Sequence, residues 1–146
     1  MVVIQFQVNN MEIYFAGSIR GGRNDKETYL KIIELLKKYG SVLTEHVGDH
    51  KLTDQGELDM TDEFIYERDT AWLKKANVIV ADVSTPSTGV GYEMAYAESL
   101  NKKILCLYRE GSEKKISGMI SGNKNITVKN YKNVDELVGI FEDFFK

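Results

Sequence analysis

Residues 78–107 read VIVADVSTPSTGVGYEMAYAESLNKKILCL, and this stretch decides the fold. Its first four residues are wholly apolar, the pattern of a parallel strand covered on both faces. A polar loop, DVSTPST, follows, and then a helix over residues 89–100. The next apolar run, from Ile104 to Leu107, is a second buried strand. The alternation extends in both directions. Upstream, residues 12–16 form a strand that ends in the loop GSIRGGRN. A helix spans 25–39, where Tyr29, Ile32, Ile33 and Leu36 recur at i, i+3, i+4 and i+7. Gly40 closes that helix, residues 41–44 form a short strand, and 61–76 a second helix. Downstream come one helical turn at 117–120, a strand at 126–128 and an amphipathic helix at 134–145. Five strands alternating with helices predict a five-stranded parallel sheet with helices on both faces, a flavodoxin-like three-layer α/β sandwich.

The chain of 146 residues is long enough for one domain and too short for two ordinary ones. Residues 11–146 are read as that domain, with residues 1–10 (MVVIQFQVNN) as an N-terminal extension. The extension is too short and too polar to span a bilayer and lacks a small-residue cleavage pattern. With 19 Lys+Arg against 22 Asp+Glu, the net charge of −3 argues against wide binding to nucleic acid. It leaves room for one small anion held by a local arginine cluster. The lone cysteine, Cys106, permits no internal disulfide and fits a reducing, cytoplasmic setting without membrane attachment.

In parallel sheets of this kind, ligands sit beyond the carboxyl ends of the strands. Three loops converge there: GSIRGGR after the first strand, TEHVGDH after the second and DVSTPST after the third. Gly17-Ser18-Ile19-Arg20-Gly21-Gly22-Arg23 combines glycines that allow close backbone approach with two arginines that can grip an anion; the bland alternative is a solvated turn. It is neither a Walker A sequence nor GxGxxG, and Met94 stands where a dinucleotide fingerprint following Gly89 and Gly91 needs a small residue. Ser87 opens the third helix, where a hydroxyl either caps the helix or donates to an anion.

Two acids fall inside apolar stripes. Glu93 lies three residues after Val90 and four before Ala97; Asp69 lies four after Ile65 and three before Trp72. A buried carboxylate without a partner is costly, so two inward acids at one cleft suggest paired-carboxylate chemistry at an anomeric carbon. Tyr14, in the first strand, is a candidate hydrogen-bond donor at that edge, or else a core tyrosine. His46 and His50 stand four apart without a clear third ligand, so no metal is expected. Asp82 ends the third strand, where receiver domains carry a phosphoacceptor. Those domains also need acids after the first strand, and Ser18 and Arg20 stand there instead.

The runs YFAGSIRGGR, VLTEHV, RDTAWL, STPSTGVGYEMA, KKILCL and ISGMI, in order from Tyr14 to about Gly122, closely resemble the 2′-deoxynucleoside 5′-phosphate N-hydrolases of the nucleoside 2-deoxyribosyltransferase superfamily. The resemblance implies a cofactor-free enzyme in which Glu93 attacks C1′ to form a glycosyl ester, Asp69 assists departure of the base, and Tyr14 orients the nucleophile. It implies that Ile19 packs on the base, and that Gly17, Ser18, Arg20, Gly21, Ser87 and Gly89 bind the nucleotide. Ser117, with Met119 beside it in ISGMI, would reach the phosphate of a neighbouring subunit in a homodimer. The 47–60 region does not match the family closely and leaves base preference open. A deoxyribosyltransferase, a ribonucleotide N-glycosidase acting on a nucleotide such as CMP, and a non-catalytic nucleotide-binding regulator remain as alternatives.

Overall fold

A computed structural model describes residues 11–20, 22–23, 25–49 and 51–146. The N-terminal extension, Gly21 and His50 lie outside the described residues. Five strands, β1 (Glu12–Ala16), β2 (Ser41–Val42), β3 (Val78–Asp82), β4 (Lys103–Arg109) and β5 (Ile126–Tyr131), form one sheet in the order β2-β1-β3-β4-β5. Every pairing is parallel, so the predicted three-layer α/β architecture is the one observed. All five residues of β3 are buried, as a central strand covered on both faces requires. The edge strand β5 alternates instead, with Thr127, Lys129 and Asn130 exposed along an edge that charge and polarity protect.

Helices α1 (Lys26–Leu36) and α5 (Leu137–Phe144) cover one face. Helices α2 (Asp62–Lys75) and α3 (Thr88–Ser99) cover the other. Thr61 caps α2 by accepting from the Phe64 amide at 3.1 Å, and Asp62 and Glu63 in its first turn oppose Lys74 and Lys75 in its last. Each end therefore carries the charge that the helix dipole favours. The four-residue α4 (Gly118–Ser121) packs near β5. Among the described residues, no helix is long and apolar enough to cross a membrane.

Several boundaries differ from expectation for local reasons. The second strand stops at Val42 because the Thr44 side chain, not the backbone, completes the ladder. Its hydroxyl accepts from the Phe15 amide at 2.9 Å and donates to the Phe15 carbonyl at 2.7 Å. Residues 45–48 then form a 3₁₀ turn. The helix expected at 134–145 opens with a 3₁₀ turn, Val134–Glu136, before α5 proper. Strand β4 runs on to Arg109 and β5 to Tyr131, beyond their apolar cores.

Asp82 is wholly buried, accepting from the Tyr131 hydroxyl at 2.6 Å and the Ser84 amide at 2.9 Å. Burial holds its carboxyl above the usual range. It joins the ends of β3 and β5 and is sealed from any phosphoryl donor. Cys106, in the middle of β4, is also fully buried, and burial pushes its thiol up to about 12.

Candidate active site

Crossover connections leave β1 and β3 toward opposite faces, so the carboxyl ends of these adjacent strands flank a crevice. A cavity of about 770 Å³ occupies it. Seven of the residues expected at the site line this cavity: Gly17, Ile19 and Arg20 after β1, Asp69 on α2, and Ser87, Gly89 and Glu93 at the start of α3.

Gly17 is required by space. A Cβ there would sit 2.9 Å from the ring of Tyr29, whose hydroxyl accepts from the Ser18 amide at 3.0 Å. The first loop is thereby held against α1. Ser18 itself does not line the cavity. It is wholly buried, and its Oγ has no hydrogen-bond partner among the described residues. Arg20 does line the cavity, yet its guanidinium donates to Asp62 at the start of α2 at 2.9 Å, and the pair is exposed. Arg20 crosses Gly56 on the way. Gly56 has φ +85°, and a Cβ there would meet Arg20 Nε at 2.8 Å. The arginine thus bridges the 49–60 loop and α2.

At the cavity floor the Tyr14 hydroxyl, rising from β1, donates to Glu93 Oε2. Tyr14 is almost fully buried, and burial together with the nearby Glu93 and Asp69 charges holds its phenol above the usual value. It therefore remains a donor across the ordinary pH range. Burial lifts the Glu93 carboxyl to about 8; the Tyr14 hydrogen bond opposes that rise, and the Asp69 charge adds to it. Burial also raises Asp69, against the pull of Arg68. Two carboxyls whose proton affinities are lifted at one cavity are suited to act as nucleophile and acid.

Ser87 caps α3, its Oγ accepting from the Val90 amide at 3.3 Å, and it also lines the cavity. Capping and anion contact are thus compatible in one residue. Ser117 and Met119 are not brought to this cavity. They line a second one, of about 420 Å³, across the start of α3, with Ser87 common to both. Both are exposed, and Met119 is 86% exposed.

The 49–60 loop and the start of α2 contribute residues that the sequence pattern did not single out. Gly56, Glu57, Asp62 and Ile65 form the wall facing the start of α3. Arg68 binds Glu57 at 2.8 Å and Asp69 at 2.9 Å. Among the described residues, no cluster of three His, Cys, Asp or Glu side chains could hold a metal ion.

Comparison with known proteins identifies the family and the fold. Residues 13–137 match the sequence profile of the family described as Nucleoside 2-deoxyribosyltransferase. A 5-hydroxymethyl-dUMP N-hydrolase of Esox lucius is 48% identical over 141 residues, 93% of this chain and 97% of the relative. One from Danio rerio is 48% identical over 139 residues, 93% of this chain and 96% of that protein. Among solved structures, a CMP N-glycosidase of Clostridium botulinum superposes with a TM-score of 0.61 at 18% identity, covering 91% of this chain and 98% of the other. The protein BlsM superposes with a TM-score of 0.66 at 20% identity, covering 94% and 91%. At those identities the two structures speak to the fold.

Proposed function

The chain belongs to the nucleoside 2-deoxyribosyltransferase family, and from that premise we propose that it hydrolyses the N-glycosidic bond of 2′-deoxynucleoside 5′-monophosphates. The products are a free nucleobase and 2-deoxyribose 5-phosphate. That the chain is an N-glycosidase follows from its relatives; the nucleotide it opens and the side chains that open it are the proposal. We read residues 11–146 as a single catalytic domain.

One observation carries the reading: a buried tyrosine donates to Glu93 at the floor of a cavity that Asp69 also lines. Glu93, once ionised, attacks C1′ as the bond to the base breaks, through an oxocarbenium-like transition state. Asp69 gives a proton to the departing base. Its raised proton affinity suits it to hold that proton before the bond breaks. The Tyr14 hydrogen bond stabilises the Glu93 carboxylate and fixes its direction. Water then attacks C1′ of the ester and transfers its proton to Asp69. The bond to Glu93 breaks, and the sugar leaves with net retention. Both the nucleophile and the acid come from the chain, so the sequence of steps calls on no cofactor.

The backbone amides and Ser87 at the start of α3 favour a phosphate on the sugar. The working unit is a homodimer in which Ser117 and Met119 serve the neighbouring site. Its support is the exposure of Met119, which lines the second cavity, and of the rings of Phe64 and Tyr66 on α2 and Tyr92 on α3. The deciding experiment incubates the protein with deoxynucleosides, deoxynucleotides and ribonucleotides in plain buffer and identifies the bases released. Base release from deoxynucleoside monophosphates, well above that from the bare nucleosides, is expected. Release that depends on an added second base would identify a transferase instead, and binding without any product a regulator.

A further inference from the structure

Asp69 does not meet the cavity alone. Arg68, its neighbour in the chain, donates from Nε to Asp69 Oδ1 at 2.9 Å and from its two Nη atoms to Glu57 Oε1 and Oε2, each at 2.8 Å. The guanidinium lies over the Trp72 ring, 4.8 Å from its centroid, and 3.4 Å from His46 Nε2. The side chains of Arg68 and Glu57 are only 13% and 14% exposed. A shielded fork of this kind is far stronger than a surface ion pair, and its planar geometry fixes where each carboxylate sits. Glu57 and Asp69 both line the cavity.

We infer that Arg68 is a positioning residue: through Nε it holds the Asp69 carboxyl in place, and through Glu57 it ties the 49–60 loop to that carboxyl as one wall of the cavity. This rests on reading Asp69 as the acid that assists departure of the base. The charged and titratable groups around Asp69 are Arg68 on its own helix, Glu57 in the loop, His46 in the 3₁₀ turn, Tyr14 on β1 and Glu93 on α3. Burial lowers His46, which leaves its ring neutral at neutral pH, with Nε2 3.4 Å from Arg68 and 3.7 Å from Glu57 Oε1. Tyr14 remains protonated. Arg68 is therefore the permanent cation of the group, and Glu57 competes with Asp69 for it. Hydrogen bonding to Arg68 holds the Glu57 carboxyl below its usual value, so Glu57 is a full negative charge at neutral pH.

A residue that merely buttresses the fold would not make the two partners act oppositely. In Arg68→Met the alkyl stem still packs on Trp72, but Asp69 loses its cation and its proton affinity rises. In Glu57→Gln the cation is kept and its competitor neutralised, so the proton affinity of Asp69 falls.

The experiment is a ¹³C NMR titration of the Asp69 carboxyl, assigned by its loss in Asp69→Asn, in the wild-type protein, Arg68→Met, Arg68→Lys and Glu57→Gln. A midpoint about one pH unit higher in Arg68→Met and lower in Glu57→Gln is expected, tenfold in proton affinity for each unit. Arg68→Lys, which keeps the charge without the fork, should fall between wild type and Arg68→Met. It remains informative if the methionine variant does not fold. In turnover, the limb of the pH profile that Asp69→Asn removes should move in the same directions. An unmoved midpoint, or midpoints that move the same way in Arg68→Met and Glu57→Gln, overturns the inference. The titration needs no turnover, so it decides the role of Arg68 even where the base-release experiment fails.

Discussion

Under α1 and α5, one face of the sheet is sealed by Phe15, Tyr29, Ile32, Phe141 and Phe144, all buried, with large side chains filling the space. Under α2 and α3, the other face is built from smaller residues, Ala16, Ala76, Ala81, Ala97 and Cys106 among them. Into the room they leave come Tyr14, Glu93 and Asp69. The same layer turns aromatic residues outward: Phe64, Tyr66 and Tyr92 are each about half exposed. The first face is packed mainly with large apolar side chains, with the buried Asp82–Tyr131 pair at its edge; the second is inverted around its cavity, with acids inside and rings outside. The difference separates stability from chemistry. The first face holds the sheet, and the second carries strained proton equilibria that cost stability and make a reactive site.

That division can be broken most sharply at its two centres. Glu93→Ala should lose on the order of a thousandfold or more in kcat while still binding nucleotide, because the nucleophile acts in the chemical step. Isothermal titration of the inactive variant checks the binding half, and near-native turnover would remove Glu93 from its role. Phe141→Ala, on the opposite face, should lose about 3–5 kcal/mol of stability to the cavity it leaves. At a temperature where it stays folded, its kcat should match wild type. A large fall in kcat there would mean that the two faces are not independent.

The outward rings are tested by subunit exchange. Ser117→Glu and Glu93→Ala are each expected to be inactive, the first by placing a carboxylate against the phosphate. Mixed and allowed to exchange, they form dimers of which about half are hybrids with one doubly mutant and one intact site. About a quarter of all sites should regain activity. Demonstrated exchange without recovered turnover would place Ser117 in its own chain's site, or make the monomer the working unit.

The cost of the inverted face is measurable as pH-dependent stability. Glu93 holds its proton to about pH 8 when folded and to near 4.5 when unfolded. Between those values the folded state binds the extra proton, so this residue's contribution to stability falls as pH rises through the window. Glu93→Gln removes the dependence. Its melting temperature should exceed wild type hardly at all near pH 4.5 and by roughly 15 °C above pH 8, about 5 kcal/mol for a domain of this size. An offset that is flat with pH would show that burial does not disfavour the charge.

The smallest effect is expected at the rim. The Arg20–Asp62 pair is 2.9 Å long but 59% and 77% exposed. Asp62→Asn should change stability by under about 1 kcal/mol, less at high salt. It should alter KM less than threefold. A tenfold change in KM would instead make the pair part of nucleotide recognition.

The strands were legible because a parallel strand covered on both faces is a continuous apolar run, as in VIVA and ILCL. Glu93 and Asp69 were legible as acids in apolar stripes, and Tyr14 as a tyrosine in the first strand beside that edge. Helix α2 was harder to read, because only Thr70 and Leu73 are buried on it. Arg68 was not legible as a partner of Asp69. Adjacent helix residues project about 100° apart, and only a long side chain that curls back can join them. Glu57 and Gly56 sit in a polar segment with no periodicity, where position in space is set by Arg20 and Arg68 rather than by any local pattern. The ends of β4 and β5 were not legible because polar residues there continue the backbone ladder without an apolar run to mark it.

The buried thiol of Cys106 gives the molecule a built-in clock. It is the one cysteine of the sequence, it sits wholly inside the sheet between β3 and β5, and its thiolate is nearly absent at neutral pH. A thiol-reactive label cannot reach it until the helical layer over that face lifts or the strands part. The rate at which native protein takes up one label is therefore the rate at which that face of the sheet is uncovered, read without any engineered probe. Oxidants that inactivate enzymes through reactive cysteines should leave this thiol untouched for as long as that clock has not run.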